Sequence, residues 1–229
     1  MNPAPVDVLV SWRDDWHQGS GTSYHYGPGA LQEGLTAPYT DDISTAAPGR
    51  PLVIADAEVW RLHGDAILGA LALGGASSMP RTVLLVPQGE ATKSRGEKAR
   101  LEDALFAAGI ERGDLIVAVG GGVTLDLVGF VAATSLRGLP HVNVATSLLA
   151  AVDAALGGKT GVNTAAGKNL VGAFHPPRRV ICDPALLATL PPAEIAVGLA
   201  EMIKHGVIEG APFVDALEAS LAETNTQDE

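Results

Sequence analysis

Between residues 51 and 183 the chain alternates short apolar runs with longer amphipathic segments, separated mostly by glycine, proline or aspartate. Short apolar runs rich in β-branched residues are typical of strands buried on both faces of a parallel sheet. These runs predict strands at 52–55, 82–86, 115–119, 142–146 and 180–183. The apolar spacing between them predicts helices at 59–73, 96–108 and 123–134. Strands that alternate with helices predict an α/β fold with a mainly parallel sheet.

The first fifty residues are less regularly patterned than the rest of the chain. An apolar run at 6–12 is compatible with a strand, residues 23–26 with an edge strand, and residues 30–35 with a short helix. The remainder combines polar residues with Gly, Ala and Pro. We therefore expect 1–22 and 36–50 to be poorly ordered.

The pattern changes again after residue 184. Two prolines precede a predicted helix at 193–208, and residues 209–229 contain six acidic side chains and no basic one. We expect 222–229 to be disordered because this segment is polar and acidic. The chain is thus predicted to contain an α/β domain over 1–184. Over 185–229 it is predicted to contain the first helices of a helical domain. We expect that domain to be incomplete, because a single helical hairpin is too small to bury a core of its own.

The amino-acid composition indicates which classes of ligand and which cellular compartment to expect. With 15 Lys and Arg against 26 Asp and Glu, the net charge of −11 disfavours nucleic acid and anionic membranes as partners. An anionic substrate would need a local cluster of cations, which Lys159, Lys168 and Lys204 can supply. The single Cys182 excludes an internal disulfide and a Cys-rich zinc site. The sequence shows no long apolar run and no signal pattern, so we expect a cytoplasmic protein.

Three consecutive glycines, Gly120 to Gly122, follow the predicted strand at 115–119 and precede a helix with Asp126 near its start. Backbone N–H groups at such a helix N-terminus can face an anion. The segment departs from the Gly-x-Gly-x-x-Gly fingerprint, so a dinucleotide would not bind in the usual Rossmann manner. A tight turn explains three glycines equally well.

Polar residues continue after the next strand, among further glycines. Lys159 and Lys168 each have a glycine beside them, and Asn163 and Asn169 lie in the same stretch. These residues suit the lining of a phosphate-bearing ligand better than a core. Asp153 lies on a mostly apolar predicted helix at 148–156, where an unpaired carboxylate is costly, so we expect it to have a partner.

Three other positions allow two interpretations each. Asp56, at a strand end, suits either a ribose hydroxyl or the N-cap of the next helix. The turn that contains Glu90 and Lys93 is either a ligand contact at the sheet edge or a solvated turn. Glu201 and Lys204 form either an ordinary i,i+3 surface pair or, with Glu201 and His205 spaced i,i+4, part of a metal site.

Five segments in order strongly resemble the 3-dehydroquinate synthase family. They are Gly-Gly-Gly-Val-Thr-Leu-Asp-Leu-Val-Gly-Phe-Val-Ala-Ala-Thr at 120–134, Thr-Ser-Leu-Leu-Ala-Ala-Val-Asp at 146–153, Gly-Gly-Lys-Thr-Gly-Val-Asn at 157–163, Gly-Lys-Asn-Leu-Val-Gly-Ala-Phe at 167–174 and Gly-Leu-Ala-Glu-Met-Ile-Lys-His-Gly at 198–206. The resemblance extends from about residue 23 to residue 217.

The resemblance implies a Rossmann-like domain that binds NAD, followed by a helical domain that carries most of the metal and substrate groups. It implies conversion of 3-deoxy-D-arabino-heptulosonate 7-phosphate to 3-dehydroquinate, in the shikimate pathway, with NAD and a divalent zinc or cobalt ion. A homodimer is also implied.

By position, the resemblance also implies roles for individual residues. NAD would contact Asp56, Glu90, Lys93, Gly121, Gly122, Asp126, Thr146, Ser147, Lys159, Lys168 and Thr189. The substrate would contact Asp153, Lys159, Lys168, Asn169 and Lys204, with Arg137 reaching the substrate site of a neighbouring subunit. Glu201 would be a metal ligand.

The sequence departs from the family pattern in several places. Leu125 replaces a usual glycine, Gln88 a usual aspartate and Ser147 a usual threonine. The family takes two more metal ligands, both histidines, from a region beyond residue 229, so only Glu201 of the three is matched. Two alternatives therefore stay open: a related sugar-phosphate cyclase of secondary metabolism, such as an amino-dehydroquinate synthase, or an inactive NAD-binding fragment or subunit.

Overall fold

The computed structural model describes residues 6–10, 22–36, 51–73 and 80–225, with side chains described within 22–36, 51–73 and 80–219. The expectation of poor order over 1–22 and 36–50 mostly lies outside these ranges. Within them, Val6–Val10 forms a strand, as the apolar run at 6–12 allowed, and residues 22 and 36 lie in a strand and a helix. The last helix extends to Asn225, and residues 226–229 lie outside the description, so the expected disorder of 222–229 stays a prediction.

The described residues form nine strands and seven α-helices. The strands are β1 Val6–Val10, β2 Thr22–Tyr26, β3 Leu52–Asp56, β4 Thr82–Val86, β5 Ile116–Gly120, β6 His141–Ala145, β7 Lys159–Thr164, β8 Gly167–Phe174 and β9 Arg179–Cys182. The helices are α1 Ala30–Thr36, α2 Ala57–Leu73, α3 Arg95–Ala107, α4 Gly122–Thr134, α5 Pro184–Leu187, α6 Pro192–Glu209 and α7 Ala211–Asn225. Short 3-10 turns lie at Glu90–Thr92 and Ser135–Arg137, and a π-helical turn lies at Ala150–Ala154.

Seven strands form one sheet in the order β1-β2-β9-β6-β5-β3-β4, with β1 antiparallel to β2 and every other pair parallel. The predicted mainly parallel sheet is confirmed. The prediction of β2 as an edge strand is wrong, because β1 pairs with one side of it and β9 with the other. Among the described helices, none is both long and apolar enough to cross a membrane.

The central strands are apolar throughout because helices cover both faces of the sheet. All residues of β3, β5 and β6 are buried. Leu52 and Ile54 pack on the face covered by α3 and α4, whereas Val53 and Ala55 pack on the face covered by α1, α2 and α5. Successive side chains of one strand point to opposite faces of the sheet, so each central strand contributes to two hydrophobic cores. Polar side chains lie in the segments at the ends of these strands.

The sequence analysis missed the hairpin formed by β7 and β8, which forms a separate two-stranded sheet. Two of its glycines are required by strand packing. A Cβ at Gly172 would lie 1.9 Å from the Thr160 carbonyl oxygen, and one at Gly161 would lie 2.8 Å from the Val171 oxygen. The hairpin is attached to the main domain where the Asn163 amide donates to the Lys93 carbonyl at 2.8 Å.

His141, on β6, makes the fold sensitive to acid. Its ring is 1% exposed and stacks on His175 with 5.2 Å between ring centroids. Burial lowers the pKa of His141 to about 3, and His175 and Arg178 act in the same direction. Because the pKa of His141 is lower in the folded chain than the usual 6.5, the folded state favours the neutral ring. The contribution of His141 to stability is therefore fully present above pH 6.5. That stabilisation is lost as the pH falls from 6.5 towards 3.

We expect a His141→Phe substitution to reduce the pH dependence of stability. Between pH 7 and pH 5 the free energy of unfolding of the wild type should fall by about 2 kcal/mol more than that of the variant. Urea unfolding at several pH values measures this difference. Parallel pH profiles for the two proteins would contradict the assignment.

Candidate functional site

Several of the predicted site residues lie at the carboxyl edge of the parallel sheet. Asp56 ends β3, the triple glycine begins at the last residue of β5, and Thr146 directly follows β6. The turn with Glu90 and Lys93 follows β4 at the same edge. Parallel strands place their carboxyl ends together, which is where ligands bind in open α/β sheets.

The triple glycine leads into α4 without a side-chain cap. Gly121 is the N-cap residue and has no side chain to bond the first N–H groups of the helix. A Cβ at Gly121 would lie 3.2 Å from Ser147 Oγ, whereas one at Gly122 would lie 2.9 Å from the Ala154 Cβ. Gly122 is therefore required by packing of α4 against the π-helical turn. Gly121 leaves free backbone donors that suit an anion.

Thr146 supplies a second polar group next to this helix N-terminus. Its residue is 3% exposed, its amide donates to the Gly120 carbonyl at 3.1 Å, and its Oγ1 has no hydrogen-bond partner among the described residues. The neighbouring Ser147 Oγ accepts from the Ala150 amide at 3.2 Å. Buried hydroxyls normally have partners. The unpartnered Thr146 hydroxyl and the uncapped helix therefore fit a ligand with phosphate and amide groups, such as NAD.

Asp56 shows one of its two predicted roles. Its Oδ1 accepts from the amides of Glu58 at 2.9 Å and Val59 at 3.1 Å, so it caps the N-terminus of α2. This contact fixes the start of α2 directly after β3. A ribose contact stays a prediction.

Lys93 connects three parts of the site. The residue is 5% exposed, and its ammonium forms an ion pair with Asp126 of α4 and donates to Asn169 Oδ1 of β8 at 2.6 Å. Burial raises the pKa of the Asp126 carboxyl, and the nearby Lys93 ammonium acts against that shift. The structure thus places Lys93 in direct contact with Asn169, which the sequence assigned to the substrate side.

Glu90 links the turn after β4 to the same hairpin. Its Oε1 accepts from Asn163 Nδ2 at 2.7 Å and lies 3.3 Å from Lys168 Nζ. The Asn163 hydrogen bond, followed by Lys168, lowers the pKa of Glu90. Asn163 Oδ1 also accepts from the Asn169 amide at 3.0 Å. The sequence singled out Asn163 only as a polar lining residue and missed this connecting role.

Two further lysines are each paired with a carboxylate at the edge of the site. Lys159 Nζ lies 3.8 Å from Asp153 Oδ1, so the expected partner of Asp153 is present. Lys204 pairs with Glu201, and this hydrogen bond raises the pKa of Lys204, with a smaller contribution from Asp153. The i,i+3 surface pair predicted as one alternative is therefore observed.

The described residues do not form a complete metal site. His205 Nε2 lies 3.5 Å from Glu201 Oε1. No group of three His, Cys, Asp or Glu side chains that could hold a metal ion occurs in the part of the chain that the structure describes. A catalytic zinc needs about three protein ligands, so Glu201 and His205 alone do not fit it.

Helix α6 reaches the site through a glycine contact. A Cβ at Gly198 would lie 2.5 Å from the Leu148 Cβ, so glycine allows α6 to pack directly on the segment that contains the π-helical turn. Beyond this contact an open groove of about 370 Å³ is lined by Val152, Met202, His205, Glu209 and Phe213. The groove lies beside His205 and does not include the glycine loop.

The last two predicted residues lie in connecting segments. Arg137 is exposed and makes no ion pair with any described residue, and its φ of +70° follows a φ of +50° at Leu136. Thr189 Oγ1 lies 2.8 Å from His63 Nε2 of α2. His63 was not predicted at the site, because a single histidine on a helix has no distinguishing pattern.

A protein-family model and curated relatives match this chain. The family model of the 3-dehydroquinate synthase N-terminal domain matches residues 83–197, which include the glycine loop, the hairpin and the first part of α6. The chain belongs to the 3-dehydroquinate synthase family. It is 46% identical over 196 residues to the 3-dehydroquinate synthase of Rhodospirillum rubrum, and 48% identical over 183 residues to that of Thermosynechococcus vestitus. These matches cover 85% and 80% of the chain but only 49% and 48% of the relatives, so the chain spans about half their length.

Solved structures of related enzymes share the fold. A 2-deoxy-scyllo-inosose synthase, solved with carbaglucose-6-phosphate, NAD⁺ and Co²⁺, matches 88% of the chain and half of its own length, with a TM-score of 0.69 and 27% identity. A 2-epi-5-epi-valiolone synthase from Streptomyces hygroscopicus, solved with NAD⁺ and Zn²⁺, matches 84% of the chain and 51% of its own length, with a TM-score of 0.65 and 31% identity. The predicted α/β, Rossmann-like fold is confirmed. A glycerol dehydrogenase from Schizosaccharomyces pombe, at 21% identity, shares the fold alone.

The close contact between Gly198 and Leu148 predicts that a larger residue at position 198 destabilises the packing of α6 in this chain. A Gly198→Ala substitution should force α6 away from Leu148 and lower the free energy of unfolding by about 1–3 kcal/mol, the usual cost of overpacking. Gly69→Ala in α2 is a matched control, because a Cβ there meets no atom within 4 Å. Urea unfolding should show Gly69→Ala as neutral or stabilising. Equal destabilisation by both substitutions would contradict the packing role.

Proposed function

We propose that the chain is the NAD-binding portion of a 3-dehydroquinate synthase, acting on 3-deoxy-D-arabino-heptulosonate 7-phosphate to give 3-dehydroquinate and phosphate. The observation that supports this most directly is the family match across 83–197, combined with the uncapped N-terminus of α4 beside the unpartnered Thr146 hydroxyl. When bound, NAD would accept and later return a hydride at a substrate carbon.

In this proposal the glycine loop and its neighbours hold the cofactor. The backbone N–H groups at Gly121 and Gly122 bind the diphosphate, and Thr146 with Ser147 faces the nicotinamide amide. Asp56 contacts a ribose through the oxygen that is not occupied in capping α2. Glu90, Lys93 and Asp126 hold the surrounding turns, and Thr189 closes the site from the α5–α6 connection. The hydrogen bonds that hold Asp56, Glu90, Lys93 and Thr189, together with the uncapped N-terminus of α4, support the assignment.

The substrate would be bound by three exposed lysines. Lys159, Lys168 and Lys204 each lie next to a carboxylate that orients the ammonium and leaves N–H groups free for a phosphate or carboxylate. Asn169 adds a carboxamide in the same region. In a chain with a net charge of −11, we assign these three lysines as the cations that an anionic substrate requires.

The metal part of the proposal is limited to Glu201. We assign it as one ligand of a divalent ion, whose complete site needs more ligands than the described residues supply.

A homodimer is proposed from the surface around Arg137. Leu170 and Phe174 lie on one face of β8 and are 62% and 72% exposed. A Cβ at Gly138 would lie 3.8 Å from His175, so the Arg137 loop adjoins the end of the same strand. Two neighbouring non-glycine residues with positive φ support a functional role for this loop, because that conformation is unfavourable for L-residues.

Related sugar-phosphate cyclases are the second candidate. The similarity to 2-deoxy-scyllo-inosose synthase, at 27% identity, and to 2-epi-5-epi-valiolone synthase, at 31%, supports them as alternatives. Identities of 46% and 48% to 3-dehydroquinate synthases favour the first candidate.

NAD binding is the first test. Calorimetric titration of the chain, shown to be folded by circular dichroism, should give binding, and Gly121→Val should weaken it by roughly tenfold or more, because the side chain occupies the approach to the backbone donors. Gly96→Val is the matched control, since Gly96 also lies at a helix start and a Cβ there would come no closer than 3.9 Å to its nearest neighbour, Ser94 Oγ. Equal NAD affinity in both variants would count against the glycine-loop assignment.

The second test concerns turnover. With NAD and added zinc or cobalt, we expect the chain alone to release no phosphate from 3-deoxy-D-arabino-heptulosonate 7-phosphate. An incomplete metal site should cost several kcal/mol in the transition state, a factor of roughly a thousand or more. A coupled phosphate assay measures this. Turnover by the chain alone would show that Glu201 and His205 recruit further ligands, and a Glu201→Gln variant would identify whether the metal is involved.

A further inference from the structure

The π-helical turn at Ala150–Ala154 leaves one backbone carbonyl without its usual partner. The Ala155 amide donates to the Ala150 carbonyl, five residues earlier, at 2.9 Å. In an α-helix this amide would donate to the Ala151 carbonyl, four residues earlier. The Ala151 oxygen therefore needs a donor from outside the helix.

Two side chains from the sheet supply donors to this turn. Tyr26 of β2 donates its hydroxyl to the Ala151 carbonyl at 3.2 Å. Asn143 of β6 donates its Nδ2 to the Ala155 carbonyl at 3.2 Å and is itself 4% exposed. Burial, with Cys182 close to the same hydroxyl, raises the pKa of Tyr26, so the hydroxyl stays protonated and able to donate. The turn is thus bonded to the sheet at two of its carbonyls.

The same turn carries Asp153. Its carboxylate pairs with Lys159 at 3.8 Å, and its charge also acts on Asp126 of α4 and Lys204 of α6. A π-turn holds one more residue than an α-helical turn, and each residue rotates a side chain by about 100° around the axis. If the turn reverted to α-helix, Asp153 would point in a different direction and lose Lys159.

We propose that Tyr26 and Asn143 are positioning residues that hold the π-helical turn and thereby direct Asp153 towards Lys159 in the substrate site. Neither residue contacts Lys159, and both act through the backbone of the turn. The part of this inference that concerns substrate rests on the proposed function. The part that concerns the geometry of the turn does not.

Tyr26→Phe tests the inference because it removes only the hydroxyl. Its matched control is Tyr24→Phe on the same strand, whose ring stacks on that of Tyr26 at 6.3 Å between centroids. A crystal structure of each variant should show the Ala155 amide moved to the Ala151 carbonyl and the Asp153–Lys159 pair broken in Tyr26→Phe only. An unchanged turn in Tyr26→Phe overturns the inference, whether or not the proposed function holds. Asn143→Leu is a second variant with the same expected structural change.

Ligand affinities supply the functional readout. In Tyr26→Phe the NAD affinity should stay within about twofold of the wild type, while the affinity of the NAD-loaded protein for 3-deoxy-D-arabino-heptulosonate 7-phosphate should fall roughly tenfold. In an Asp153→Asn background the same substitution should cause no further loss, because both changes remove one interaction. Full additivity, or an equal loss of NAD affinity, would indicate a general structural role and overturn the positioning role. If the wild type binds NAD but not this phosphate, the proposed function fails and the crystal structures alone decide the inference.

Discussion

A buried ammonium group holds the site together. Lys93 lies almost out of reach of solvent between Asp126 of α4 and Asn169 of the hairpin, and its own carbonyl accepts the amide of Asn163. A buried charge without partners is strongly unfavourable, so the three segments must stay in contact once Lys93 is enclosed. The hairpin belongs to no other sheet, and this connection fixes it at the carboxyl edge of the main sheet.

Glycine provides the second constraint, through close packing between elements. A Cβ at Gly129 would lie 2.5 Å from Thr160 Cγ2, so glycine lets α4 pack directly on β7. Gly122 and Gly198 do the same for the two helices that contact the segment around the π-helical turn. Gly121 differs, because a Cβ there would approach the Ser147 hydroxyl at 3.2 Å, and its lack of a side chain leaves α4 without a side-chain cap. Gly122 is thus explained by close packing between elements, and the neighbouring Gly121 by the uncapped start of α4.

The prediction of the α/β core succeeded because it depends on local pattern. Strands β3, β5 and β6 are buried on both faces, and this burial requires the continuous apolar runs seen in the sequence. The glycine-loop residues and Asp56 were predicted for the same reason, since they directly follow such runs at the ends of parallel strands. Two features were missed where the pattern is weak: the glycine-rich β7–β8 hairpin, and the position of β2 inside the sheet, whose partner strand β1 lies in the less regular first segment.

The sequence by itself determined the alternating strands and helices of the α/β core, the edge of the sheet where polar residues follow the strands, and the family. Only the tertiary structure decided which of those polar residues touch. Lys93 and Asn169 are 76 positions apart, and Tyr26 and Ala151 are 125 apart. The hydrophobic periodicity of a segment indicates only which face of its own strand or helix is buried. Contacts over such separations depend on how closely the helices and the hairpin pack on the sheet.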